Sequence, residues 1–220
     1  MVMGMTSTGP VKQANIRNAG VCVIEEAREI LRKGGPVVYP TSTLYALGVD
    51  ARNSSAIGLV FELKKRPDDM AISIAITNLG MAREFAVFDE EQQATIQALR
   101  ALPITFIVCA RPDIHDGLIG KDNTTAFRFP QHPVAEALIE GFGPLTTTSA
   151  NLHGKGDPVG VEEAATQLGP SVPLYIKGKT GKFGRLTTIL DIRKADIRIV
   201  RRGAATRNDI QAALPGRKVN

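Results

Sequence analysis

Along the chain, apolar positions recur in two alternating periods. Ile24, Ala27 and Leu31 fall at helical spacing, and Gly34-Gly35 supplies a stop. Val37-Val38-Tyr39 follows as a strand ended by Pro40. Ser54 is placed to cap a helix with the apolar face Ile57, Val60 and Phe61, which reaches Lys64-Lys65 and is closed by Pro67. Residues 71–76 read as a strand, and Asp89 with Gln92 forms a capping box for a helix bearing Ile96 and Leu99. Residues 104–108 and 125–129 are β-rich and too short for helices. His132-Pro133 opens a helix, since proline is tolerated at the first helical position. Residues 145–148, 174–176, 188–190 and 197–200 predict further strands, and residues 206–214 a closing helix. Seven or eight strands interleaved with five or six helices predict a single α/β or α+β domain over residues 16–214, built on one large sheet. Residues 1–15 lack periodicity and read as a flexible N-terminal arm, and residues 215–220 as a polar tail.

Composition narrows the function classes. Apolar residues make up 43% and charged residues 22% of 220, which fits a globular protein that needs no disulfide or metal staple. A net charge of +5 favours anionic partners such as nucleotides, phosphates or RNA. The longest apolar runs fall far short of the ~20 residues that cross a bilayer, and the N-terminus lacks a secretory core, so no membrane association is expected. Cys22 and Cys109 stand alone, and His115, His132 and His153 are scattered, so neither a redox pair nor a protein metal cage is expected. These features together predict a cytoplasmic protein.

Two nucleotide signatures fail. Gly178-Lys179-Thr180 resembles the end of a P-loop, but Pro173 stands where the opening glycine belongs, and proline lacks the backbone donor of a phosphate cradle. Gly141-x-Gly143 and Gly154-x-Gly156 both lack the third glycine of a dinucleotide fingerprint. Four polar groups remain. Pro40-Thr41-Ser42-Thr43, with Tyr45 and Gly48 behind it, is either an ordinary turn or a ligand-binding strand end. Lys64-Lys65-Arg66-Pro67 either complements a helix dipole or grips phosphate. Thr147-Thr148-Ser149-Ala150-Asn151 ends an apolar strand, with Ser149 and Asn151 on one side if extended. Arg128 interrupts Phe127 and Phe129, and faces either water or an anion; Arg201 and Arg202 follow the last apolar strand and read the same way. No paired carboxylates and no Ser-His-Asp order are present, so reaction by a protein nucleophile is not expected.

Together these residues resemble the YrdC-like family, the threonylcarbamoyl-adenylate synthases. The resemblance runs from about Gly34 to Gly203 through VVYPTSTLYALG, the K-x-R-P of Lys64 to Pro67, FRFPQHP, the TSAN ending at Asn151, TTILD and VRRG. It implies one α/β domain with a large twisted mixed sheet and a positively charged concave cavity. It also implies synthesis of threonylcarbamoyl-AMP and pyrophosphate from L-threonine, bicarbonate or CO2, and ATP with Mg²⁺. A downstream threonylcarbamoyl transferase then modifies tRNA to N6-threonylcarbamoyladenosine, and binding of double-stranded RNA is a further implication.

Position by position, the resemblance puts Lys64, Arg66, Thr124, Ser149, Asn151 and Arg201 at ATP. It puts Thr41, Thr43, Tyr45, Arg128, Thr147 and Thr187 at threonine. Met70 and Ala71 stand in place of an Asn-Pro start, Ala75 in place of a frequent histidine, and His153 and Asp157 in place of hydroxyl residues. An acid at Asp157 repels triphosphate unless a metal intervenes. Two rivals follow: a non-catalytic double-stranded RNA- or tRNA-binding module, and a paralogue acting on another amino acid.

Overall fold

The computed structural model describes residues 14–158, 160–180 and 184–220, so the expected arm lies almost wholly outside the described residues. The first third contains β1 (Ile16–Asn18), α1 (Val21–Arg32), β2 (Val37–Pro40), β3 (Tyr45–Gly48), α2 (Ser54–Lys64) and β4 (Ser73–Ala75). The middle contains α3 (Leu79–Arg83), β5 (Ala86–Val87), α4 (Glu90–Leu99), β6 (Ile104–Ala110), β7 (Thr124–Arg128) and α5 (Pro133–Phe142). The last third contains β8 (Leu145–Ser149), α6 (Val161–Leu168), β9 (Leu174–Lys177), β10 (Thr188–Asp191), β11 (Arg198–Arg201) and α7 (Arg207–Ala213).

Helix ends follow local chemistry. In α4 the Asp89 carboxylate accepts from Gln92 N while the Gln92 side chain accepts from Asp89 N, the reciprocal box its sequence predicts. Pro133 opens α5, capped by the His132 ring, which accepts from Val134 N at 3.2 Å. In α2 the cap is Asn53 rather than Ser54: Asn53 has extended backbone, and its carbonyl oxygen accepts from Ala56 N at 3.0 Å.

All the described strands join one mixed sheet in the order β1-β9-β2-β3-β8-β4-β7-β6-β10-β11, with β5 beside β6. The α/β expectation holds, with more elements than hydropathy predicted. β1 and β5 are three and two residues long, too short to show a period. All four residues of β3 are buried, so it shows no alternation.

Residues opposite each other in a ladder share a face. That rule puts Tyr39, Ala46, Ser149, Thr147, Ser73, Ala75, Arg128, Thr105 and Ile189 on one side of the sheet. α1 and α5 cover one end of this face, where Ala27, Leu31, Leu138 and Ile139 pack on Val37, Tyr39, Ala75 and Leu145. Past that cover, the same face is lined by hydroxyls and arginine. The other face is closed by α2, α4 and α7, with Ile57, Val60, Ile96 and Ile210 against Leu47, Ile74, Phe106, Phe127 and Leu190.

The expected polar tail at 215–220 is docked instead. Val219 is fully buried and bridges to Ile197, and Asn220 exchanges backbone hydrogen bonds of 2.8 Å with Ile197 and Ile199. Val219 is its apolar anchor, and Arg217 adds a hydrogen bond of 2.9 Å to Ala195 O, contacts that the polar composition of the segment hides.

Candidate functional site

The uncovered half of the sheet face forms a cavity of about 310 Å³. Arg66, Arg128 and Arg201 line it together with Thr43, Tyr45, Thr105, Thr147 and Ser149. Its apolar wall includes Leu44, Met70, Ile72, Leu186 and Ile189. Three guanidinium groups facing one polar hollow make a receptor for anions.

Arg128 sits on β7 with its side chain folded inward. Its Nη2 donates to the Thr41 hydroxyl at 3.0 Å and to the Thr43 hydroxyl at 3.1 Å. Its Nε is shut off from solvent with no partner. Loss of water around the guanidinium pushes its pKa down to about 10, an effect that Tyr39 opposes and Arg201 reinforces. Of the two orientations left open by the sequence, the side chain takes the inward one, into the cavity rather than toward open water. Thr41 is the hub of the PTST turn: fully buried, it donates to Leu44 O at 2.7 Å and accepts from Thr43 N at 3.2 Å. Tyr39 lies beneath, its phenol pushed up to about 12 by burial. Gly48 makes room for that ring, since a Cβ there would stand 2.8 Å from the ring and 2.6 Å from Thr146 O.

The K-x-R-P and TSAN segments are laced together behind the cavity wall. Lys64 is 2% exposed, and its ammonium donates to the backbone oxygens of Ser149 and Asn151 and, at 3.1 Å, to Asn151 Oδ1. Asn151 Oδ1 also accepts from Ser149 Oγ at 2.6 Å, and Asn151 Nδ2 donates to Lys155 O at 2.7 Å. In return Lys64 O accepts from His153 N at 2.8 Å. Burial lowers the Lys64 pKa to about 8, Arg66 adds to the effect, and Asp157 opposes it. Lys65 ends α2 in the left-handed region at φ 50°, and this turn carries Arg66 back to the cavity rim. There Arg66 Nε and Nη2 donate to Met70 O and Ala71 O at 2.8 and 2.9 Å, leaving Nη1 and the second Nη2 proton for a ligand. The strand predicted over 71–76 is shorter, Ser73–Ala75, and the carbonyls of Met70 and Ala71 serve Arg66 instead of a ladder.

Arg201 is fixed differently. Its Nη2 donates to Thr187 O at 2.9 Å and to Thr187 Oγ1 at 3.2 Å. Thr187 Oγ1 in turn lies 2.7 Å from Thr105 Oγ1. Gly203 makes this arrangement possible, because a Cβ there would come within 2.4 Å of the Leu186 and Thr187 backbone. Burial lowers the Arg201 pKa, and Asp157 opposes that too.

The predicted residues therefore fall into three groups. Thr43, Tyr45, Arg66, Arg128, Thr147, Ser149 and Arg201 line the cavity. Thr41, Lys64, Asn151 and Thr187 stand behind it, each hydrogen-bonded to a lining residue. Thr124 lies outside: on the same strand face as Arg128 but four residues away, it donates to Lys121 O at 2.8 Å. The Tyr45 hydroxyl is committed to Gly178, donating to its carbonyl and accepting from its N–H, so GKT is a clasp on the site wall rather than a phosphate cradle. Ser73 and Thr105 were missed as lining residues; Thr105 is a lone hydroxyl in the apolar run 104–108, and that interruption was its signal. Of the five departing residues, Met70 and Ala71 line the cavity, Ala75 is buried beside Arg128, and His153 and Asp157 are exposed. Among the described residues no group of His, Cys, Asp or Glu could hold a metal ion, and no helix is long and apolar enough to cross a membrane.

Comparison with known proteins points one way. The Sua5/YciO/YrdC family model, described as "Telomere recombination", matches residues 29–203. A threonylcarbamoyl-AMP synthase of Vibrio cholerae is 31% identical over 186 residues, covering 82% of this chain and 97% of the relative. One from Halorhodospira halophila is 35% identical over 172 residues, covering 77% and 90%. The crystal structure of P. abyssi Sua5 complexed with L-threonine superposes with a TM-score of 0.84 at 25% identity over 94% of this chain; this chain spans 62% of that longer protein. E. coli YciO superposes at 0.77 with 26% identity, covering 90% of this chain and 98% of YciO.

Proposed function

The chain belongs to the Sua5/YciO/YrdC family, and from that membership we propose that it is a threonylcarbamoyl-AMP synthase serving N6-threonylcarbamoyladenosine formation in tRNA. The observation that supports it best is Arg128, half-buried on the cavity floor, its guanidinium holding two threonine hydroxyls and facing the hollow. Such a group suits the carboxylate of an amino acid. With the carboxylate there and Thr43 beside it, the amine of L-threonine points into the cavity. Ammonium and bicarbonate then give carbamate, water and a proton released to solvent, a step that requires no protein base. A carbamate oxygen attacks the ATP α-phosphorus, the bond to the β-phosphate oxygen breaks, and pyrophosphate leaves.

Arg66 and Arg201 are placed to neutralise the phosphates, and Ser149 and Thr147 to steer the junction. Catalysis is then positioning and charge stabilisation rather than covalent chemistry. Mg²⁺ enters as the companion of ATP, held by its phosphates. Its charge, like those of Lys64 and Arg201, offsets Asp157. Such an enzyme works in the cytoplasm and hands its product to a transferase acting on tRNA.

Incubation with ATP, Mg²⁺, L-threonine and bicarbonate tests the reading. Pyrophosphate should form only when all are present. Salt-sensitive RNA binding without turnover would instead favour the RNA-binding module, and turnover with another amino acid the paralogue. A second expectation concerns Arg66→Ala. Nη1 and the second Nη2 proton are free for a ligand, so at least one charge-assisted bond is lost and ATP binding weakens by about 1.5–3 kcal/mol, roughly 10- to 100-fold. Calorimetric titration with a non-hydrolysable ATP analogue measures it, and an unchanged Kd removes Arg66 from the site.

A further inference from the structure

The hydroxyl pair beside Arg201 has a direction. A guanidinium only donates, so the 3.2 Å contact from Arg201 Nη2 uses a lone pair of Thr187 Oγ1. Thr187 is 4% exposed, and among the described residues the one hydroxyl acceptor within reach of its own proton is Thr105 Oγ1 at 2.7 Å. Thr105 is as buried as Thr187, at 3% exposed, but it lines the cavity whereas Thr187 stands behind it, so a proton left over on Thr105 has a ligand to meet and one left over on Thr187 has none. The order is therefore Arg201 to Thr187 to Thr105. The Thr105 proton is left over, and among the described residues no protein group accepts it. Thr105 lines the cavity and lies directly across the ladder from Arg128. It thus stands between the guanidinium assigned to the amino acid and the one assigned to the nucleotide.

We infer that Thr105 is a catalytic hydrogen-bond donor at the junction of the two subsites, directing its O–H at an anionic oxygen of the reacting carbamate or α-phosphate. The inference rests on the synthase reading above. The hydroxyl is polarised through Thr187 by a cation, and hydrogen bonds in such chains reinforce one another. No proton is transferred: the donor stabilises negative charge that grows on oxygen as the carbamate attacks.

The test is steady-state kinetics of the full chain and its Thr105→Val and Thr105→Ser variants, following pyrophosphate and threonylcarbamoyl-AMP. Thr105→Val should lower kcat about 10- to 100-fold with KM for ATP and L-threonine nearly unchanged, at or below the range for loss of an oxyanion donor. Thr105→Ser, which keeps the hydroxyl, should restore kcat to within about threefold, the size of a small change in donor placement. An unchanged kcat in the valine variant overturns the inference. So does a raised KM for ATP at constant kcat, because Thr105 would then merely steady Arg201. If the valine variant does not fold, Thr105→Ala is judged by the same criteria. An inactive parent chain would sink the synthase reading and this inference with it, whereas an active parent with an indifferent Thr105 sinks the inference alone.

Discussion

Arg128→Met is expected to cut kcat/KM for L-threonine about 1,000-fold, the largest loss of any single change in the cavity. Each charge-assisted hydrogen bond in a dry site is worth about 1.5–3 kcal/mol, and a carboxylate on this guanidinium makes more than one. The same substitution should leave the ligand-free protein at least as heat-stable as its parent. The reason is the unpartnered Nε together with a pKa held near 10 by loss of water. A base with a folded pKa below its unfolded value binds its proton more tightly when unfolded. Its charged form therefore costs stability at every pH below about 10, and the cost fades as pH rises above that. Methionine removes that cost. The Thr41 hydroxyl keeps Leu44 O as acceptor and Thr43 N as donor, so no buried polar group is stranded there. Calorimetry gives both numbers, the melting temperature of the free protein and the Kd for L-threonine. Undiminished threonine affinity would detach Arg128 from the amino acid, and a markedly lower Tm would show that the arginine serves the fold.

How far the chain announces this site depends on what each residue's neighbours make visible. The apolar periods of α1, α4 and α5 are plain because each helix has one wet face. β3 stays hidden because both of its faces are covered. The hydroxyl and cation clusters could be read as candidates, yet each has an innocent use, in a turn, a helix end or a solvated strand. Only the register of β7 beside β4 and β6 decides that Arg128 faces inward. Spacing alone also cannot separate groups that touch a ligand from those that hold them. Thr43 and Thr41 are two positions apart, yet one lines the cavity and the other fixes its neighbours from behind. Thr105 escaped because it contributes one hydroxyl to an apolar run, and its partner Thr187 is remote in sequence.

Lys64 gives the second large effect, with the opposite sign in stability. Its ammonium is satisfied by two backbone carbonyls and Asn151 Oδ1, so Lys64→Met leaves three acceptors facing a thioether. An orphaned buried acceptor costs about 1–3 kcal/mol, and partial entry of water holds the total loss near the top of that range. The site suffers more than the fold. Ser149 and Asn151 lose the anchor that aims the TSAN segment, and kcat/KM for ATP is expected to fall at least about 100-fold, as misplacing a positioned group by an ångström does. Lys64→Arg should not rescue it. A planar guanidinium cannot converge on three acceptors arranged around a compact ammonium. A proton signature distinguishes this hub from a generic packing residue. In the free protein the Lys64 pKa is about 8, well below the unfolded value of 10.5, so above pH 8 a growing fraction is neutral. A triphosphate arriving nearby draws that pKa upward, and binding near pH 8–9 should take up protons. The heat of binding an ATP analogue should then depend on the ionisation enthalpy of the buffer in the parent and not in Lys64→Met. Equal buffer dependence in the two proteins, or a Lys64→Met protein that melts and binds like its parent, would mean that the Ser149–Asn151 segment holds its shape without the lysine.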